Sequence, residues 1–231
     1  MTSLKVLSGG AALGLVTALA PSFERASGCR IDGTFDAVGS ILRRLGDGAP
    51  ADVLILTAKL IADLTGSGEV AAGSAGDVGT VRTSVAVRAG DPVPAVATAD
   101  GFRAALLAAD EIHIPDPQQA TAGIHVMKVL GRLGIAEEVG ARLRPHPNGA
   151  TAMHALAASP AARPLGCTQV TEILATPGLA VVGPLPPGSE LATVYTAAVA
   201  SRATRPAEAA ALVALLTGDA ARESRVRAGF A

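Results

Sequence analysis

The stretch LKVLSGGAALGLVTALAPSFERASGCRIDGTF (Leu4–Phe35) decides the fold. Leu4–Leu7 reads as a strand, and SGGA is too small and flexible to continue it. Apolar residues then recur at helical spacing through Phe23, and Arg30–Phe35 reads as a second strand, which completes a βαβ unit. Part of this stretch, AALGLVTALA (residues 11–20), is apolar and ends in an A-x-A pattern. Only Lys5 precedes it as a basic residue, Ser8, Gly9 and Gly10 interrupt it, and it is too short to span a membrane, so we read it as part of the fold rather than as a leader. The chain as it stands is expected in the cytoplasm, or in the periplasm if a leader has been removed.

Outward from this unit the alternation continues: a helix near Ser40–Leu45, a strand at Val53–Leu56, and a helix over Ala58–Leu64 closed by Gly66 and Gly68. A long strand pattern starts at Thr80, followed by a helix over Ala99–Ala108, the proline-ended strand EIHIPDP and a helix over Thr121–Leu133. The turn Asn148–Ala150 opens another helix, Leu165–Thr168 reads as a short buried strand, and LAVVG and LATVYTAAVA are strands. The chain is helical from Pro206 to the closing RAGF. Two long strands, around Val81–Val87 and Leu191–Ala200, are the expected crossovers of a hinge. The predicted architecture is α/β and two-lobed, each lobe a mostly parallel sheet flanked by helices, with residues 1–82 and 196–231 in the first lobe and 83–195 in the second.

The 231 residues are 49% hydrophobic and 17% charged, with a formal net charge of −1. That leaves no electrostatic footprint for nucleic acid, and no membrane insertion is expected. Cys29 and Cys167 stand far apart with no CxxC or CxxH neighbour, which leaves a disulfide open but does not support zinc; no metal or cofactor is expected. Aromatic residues are 2% and there is no Trp, so a ligand held by stacked rings is disfavoured. The single tyrosine, Tyr195, is either a packing residue or part of a site.

Four turns join a strand to a helix through small residues: Ser8–Ala11, Ala37–Ser40, Ala120–Gly123 and Pro147–Thr151. Helix starts of this kind present free N–H groups and partial positive charge beyond the carboxyl ends of strands. Ser8, Gly9, Gly10, Ala11, Val38, Gly39, Ser40, Thr121, Ala122, Gly123, Ile124, Asn148 and Gly149 are therefore candidate ligand-binding residues for a small anion. One such turn is ordinarily capping chemistry, whereas four in two lobes point to a ligand gripped from both, in a cleft between the lobes.

The small-residue opening after the first strand, GAPADVLIL (Gly48–Leu56), PDPQQATAG (Pro115–Gly123) and the closing GF resemble the periplasmic molybdate-binding protein family over nearly the whole chain. The resemblance implies the type 2 periplasmic binding protein fold. Where that family has serines after strands one and two, this chain has Ala11 and Val38, and the family's later tyrosine segment is here GCTQVTEI (Gly166–Ile173). A carboxylate with an apolar middle suits Ala11, Val38 and Ile124 better than molybdate does. The variants SGGAA, FDAVGS, ATAGIH and GCTQVTEI resemble a non-molybdate branch to which an aconitate isomerase is related.

That likeness implies anchored carboxylates and one acid/base group. His125 is the first candidate, with Asp36 and Glu172 as rivals, and Thr168 and Gln169 as carboxylate binders. Each has a plainer reading: His125 packs, Asp36 caps or turns, and Glu172 completes a capping box. Two functions are thus weighed: a binding module that hands a small di- or tricarboxylate to a transporter, the latter only if the protein is exported, and an isomerase of unsaturated carboxylates.

Overall fold

The structure is a computed structural model that describes residues 2–231; Met1, where the sequence reading begins its first lobe, lies outside the described residues. Two compact units emerge. One runs to Val81 and resumes over Thr193–Ala231, and the other is the continuous segment Arg82–Ala192.

The first unit opens with β1 (Thr2–Gly9), α1 (Leu13–Ser27), β2 (Cys29–Asp36), α2 (Val38–Gly46), β3 (Val53–Thr57) and α3 (Ala58–Gly66). A short 3-10 turn, Gly10–Ala12, leads into α1, which buries Leu15, Val16, Leu19 and Phe23 along one face. Gly28 ends α1 in the left-handed region (φ 67°), a conformation that glycine adopts without strain. β1 lies parallel to both β2 and β3, and β3 pairs antiparallel with β9 (Ala192–Val199). Val53, Leu54, Ile55 and Leu56 are all fully buried, as expected of a central strand covered on both faces. α9 (Pro206–Thr217) and α10 (Arg222–Arg227) follow, separated at Gly218, so the closing helical segment read from the sequence is two helices.

β4 (Gly76–Arg88) leads into the second unit, which continues with α4 (Ala99–Ala108), β5 (Glu111–Pro115), α5 (Thr121–Arg132), α6 (Ala136–Gly140), β6 (Leu143–His146), α7 (Gly149–Ala158), β7 (Pro164–Gln169), α8 (Val170–Leu174) and β8 (Leu179–Pro184). β5 is parallel to β6 and β7, while β4 runs antiparallel to β7 and β8. On one sheet face Val85, Phe102, Leu106, Val126, Leu130, Leu165 and Cys167 share a core. On the other, Ala86, Met153, Leu156 and Ile173 form a smaller one against α7. Among the described residues no helix is long and apolar enough to cross a membrane. Cys29 and Cys167 are both buried free thiols, and burial pushes Cys167 up to about 12, which leaves it unreactive.

Candidate functional site

In the first unit the parallel pairing of β1 and β2 sets Gly9 against Asp36, so the turns after the two strands are neighbours. Their cap residues, Gly9 and Ala37, offer no side-chain acceptor to the helix starts that follow. Ala11 is 2% exposed and Val38 7%, so apolar groups stand at the positions read from sequence as lost hydroxyls. Ser8 is buried and its hydroxyl donates to the Gly9 carbonyl at 2.8 Å. A Cβ on Gly9 would stand 3.1 Å from Tyr195 Cε1 and 3.2 Å from Val38 Cγ2, so Gly9, Tyr195 and Val38 meet at this edge. The Tyr195 ring also packs edge-on against Phe230, with centroids 6.5 Å apart. Asp36 Oδ1 accepts from the Ala37 N–H at 2.8 Å, and Arg44 lies 3.9 Å from its other oxygen, an arrangement that shapes the turn.

In the second unit, β5, β6 and β7 are parallel and deliver α5, α7 and α8 to one edge. That edge gathers Thr121, Ala122, Gly123, Asn148, Gly149, Thr168, Gln169 and Glu172. α5 starts at Ala120 with no side-chain cap. α7 caps itself: Asn148 Oδ1 accepts from the Thr151 N–H and from its hydroxyl, both at 2.9 Å. Gly123 lies so close to the carbonyls of Pro115 and Asp116 that any side chain would overlap them.

The Glu172 side chain is buried against Gly149, where a methyl group would overlap both its carboxylate and the Thr168 hydroxyl. Glu172 Oε2 accepts from Thr168 Oγ1 at 2.5 Å. Its carboxylate also takes the backbone N–H of Gln169, the cap residue of α8, which is the reciprocal half of a capping box. Burial raises the carboxyl to about 7 against the pull of these two donors. Gln169 is 3% exposed, yet neither atom of its amide has a partner.

His125 is half-buried on α5 and its Nε2 donates to the Ser189 carbonyl at 2.8 Å. A carbonyl only accepts, so this nitrogen carries the hydrogen and Nδ1 is the basic one. The other histidines lie elsewhere. His113 Nδ1 and His146 Nε2 are 3.1 Å apart, and Glu111 Oε2 takes His113 Nε2 at 3.2 Å and the Ser159 hydroxyl at 2.6 Å. Burial holds both His113 and His146 below the usual histidine range. His154 Nδ1 bonds the Ala150 carbonyl within α7.

Two residues with structural weight were not singled out from the sequence. Asp52, 1% exposed, accepts from the Lys5 N–H, the Thr204 N–H and hydroxyl, and the Arg205 N–H, and so ties the start of β3 to β1 and to the approach to α9. Thr83 is 1% exposed with an unpartnered hydroxyl. Asp52 lies within GAPADVLIL and Thr83 within the long strand pattern; the signal of each lies in partners remote in sequence.

The chain is 31% identical over 229 residues to an aconitate isomerase from a Pseudomonas species, which covers 96% of this chain and 85% of that one. Its fold is that of the type 2 periplasmic binding proteins. The periplasmic molybdate-binding protein of Azotobacter vinelandii superposes with a TM-score of 0.79 at 21% identity, covering 99% of this chain and 98% of the other. The sulfate-binding protein of Mycobacterium tuberculosis gives 0.78 at 18% identity, covering 100% and 86%. Because the sequence model of one family matches from residue 4 to residue 231, essentially end to end, the chain belongs to the bacterial extracellular solute-binding proteins.

Proposed function

We propose that the chain binds a small organic anion, a di- or tricarboxylate, on the strand-end turns that open its helices. The observation that carries this reading is the pairing of helix starts whose cap residues, Gly9, Ala37 and Ala120, bring no side-chain acceptor with buried apolar side chains at Ala11 and Val38. Free N–H groups suit carboxylate oxygens, and the apolar residues suit the carbons between them. A tetrahedral oxyanion has no such carbons and needs a donor at every oxygen. The Pseudomonas relative is named for aconitate, itself a tricarboxylate, which supports the same ligand class. A thermal-shift series tests it: trans-aconitate and citrate are expected to raise the melting temperature, and molybdate and sulfate to leave it unchanged. A rise with molybdate or sulfate alone would sink the proposal. If the protein is exported, its partner is a membrane transporter that receives the anion.

A second reading, isomerisation of an unsaturated carboxylate, is favoured by Glu172, whose carboxyl titrates near 7. A base at that value gives up and takes protons at neutral pH. It would remove a proton from the saturated carbon beside the double bond; the C–H electron pair becomes the new C=C, and the far alkene carbon takes a proton. Deuterium entering trans-aconitate in heavy water, lost in Glu172→Gln and retained in His125→Ala, would support this. Exchange that survives Glu172→Gln moves the base to His125 or Asp36.

A further inference from the structure

Thr83 and Gln169 stand directly opposite each other on β4 and β7. The Thr83 backbone turns away from β7, its N–H donating to the Leu191 carbonyl at 2.9 Å and its carbonyl accepting from the Leu185 N–H at 3.2 Å. The two therefore form a non-hydrogen-bonded pair, the closer of the two antiparallel kinds. Strand alternation puts both side chains on one face. Val85 and Cys167, two residues away on each strand, share the core packed by α5, whereas a side chain on Gly166 would point into Leu156 and Met153 of α7. So Thr83 and Gln169 lie on the α5 side of the sheet, at the end of that core. They are 1% and 3% exposed, and the threonine hydroxyl and both amide atoms lack any partner, including each other.

Buried polar groups are normally satisfied, and three orphaned atoms side by side set a demand on what binds there. The amide offers two hydrogens and one acceptor, and the hydroxyl one hydrogen and acceptor capacity. A group with acceptors only, such as sulfate, molybdate or an ionised carboxylate, leaves the Gln169 carbonyl oxygen unsatisfied. A carboxyl is ionised at neutral pH, so the missing hydrogen comes from a hydroxyl. An ammonium group fits poorly, because it has donors only and leaves the hydrogens of the Gln169 amide without an acceptor.

We infer that Thr83 and Gln169 form a two-point recognition site for a hydroxyl group, and that the ligand is a hydroxy-carboxylate. This rests on the carboxylate reading above and narrows it. The test is calorimetric titration with citrate and with propane-1,2,3-tricarboxylate, which is citrate without its hydroxyl. Citrate is expected to bind about tenfold or more tighter to the native protein, as for one buried hydrogen bond left unmade. In Thr83→Val and Gln169→Leu the two ligands should bind within about twofold of each other. Thr83→Ser should restore the preference. Without ligand, Thr83→Val should melt no lower than the native protein, since it removes an unsatisfied group.

Equal binding of the two tricarboxylates to the native protein, or a preference that persists in both Thr83→Val and Gln169→Leu, overturns the inference and leaves the carboxylate reading standing. A lower melting temperature in ligand-free Thr83→Val also overturns it, because the hydroxyl would then have a partner within the protein. Binding of neither tricarboxylate overturns both.

Discussion

The Thr168 hydroxyl donates to Glu172 Oε2 at 2.5 Å, directly against Gly149 at the start of α7. One buried carboxyl thus joins the end of β7, the first turn of α8 and the start of α7. It accepts from one side chain, Thr168, and one backbone N–H, that of Gln169, and burial raises it to about 7.

Glu172→Gln should change how stability depends on pH. A carboxyl raised from 4.5 to about 7 stabilises the fold fully below pH 4.5, and that contribution is lost as pH rises to 7. The shift corresponds to about 3 kcal/mol. His113 and His146 act in the opposite sense: lowered below 6.5, they cost stability as pH falls beneath 6.5. Urea denaturation between pH 5 and 8 should show the native protein losing stability toward pH 7 relative to the variant, whose stability rises with pH up to 6.5.

Gly149→Ala should destabilise, although alanine favours helices by about 1 kcal/mol over glycine. The added methyl has no room beside Glu172 and Thr168, and the expected net loss is about 1–3 kcal/mol. A melting temperature equal to the native one would show that the Glu172 side chain moves aside readily.

Asp52→Ala should be among the most damaging single changes in the first unit, at about 3 kcal/mol or more. Burial tends to raise this carboxyl, but donors from Lys5, Thr204 and Arg205 outweigh it and hold it below its usual range. It therefore stabilises above pH 3.8, and the benefit is lost as pH falls below that. Chemical denaturation at pH 7 and pH 3 checks both size and sign: the gap between variant and native protein should narrow in acid.

His125→Ala should lose about 1 kcal/mol, the worth of its bond to the Ser189 carbonyl. Carboxylate affinity should stay within about threefold of native by the same measure. A hundredfold loss of affinity would instead make the ring a direct ligand contact.

Much of the scaffold was legible because its strands and helices keep clean periods. LKVL, VLIL and the alternating segments around them fall where the periodicity puts them, and Glu172 does sit in a capping box, although the residue it caps is Gln169 and not the expected Thr168 or Thr171. β6 escaped because LRPH is short, carries Pro145 and is only half-buried, which reads as a loop. The helix expected after Thr168 or Thr171 is α8, a single short turn over Val170–Leu174. The small-residue turns were readable as helix starts, but which of them cap themselves was not: Asn148 does so, whereas Ala37 and Ala120 offer no side-chain cap. Thr83 was hidden among neighbours buried on both strand faces, where a hydroxyl carries no period of its own. Asp52 depends on residues about 150 positions later, a distance no local pattern spans.

The pairing of β3 with β9 has a consequence at the ribosome. The middle segment, Arg82–Ala192, emerges as one uninterrupted piece and has its strands to hand. The opening strands do not: the apolar edge of β3 waits, unpaired, until Ala192–Val199 has been synthesised, on the order of ten seconds later. For that interval the nascent chain carries a sticky strand edge, a natural target for a holding chaperone and the first place where crowded expression would aggregate.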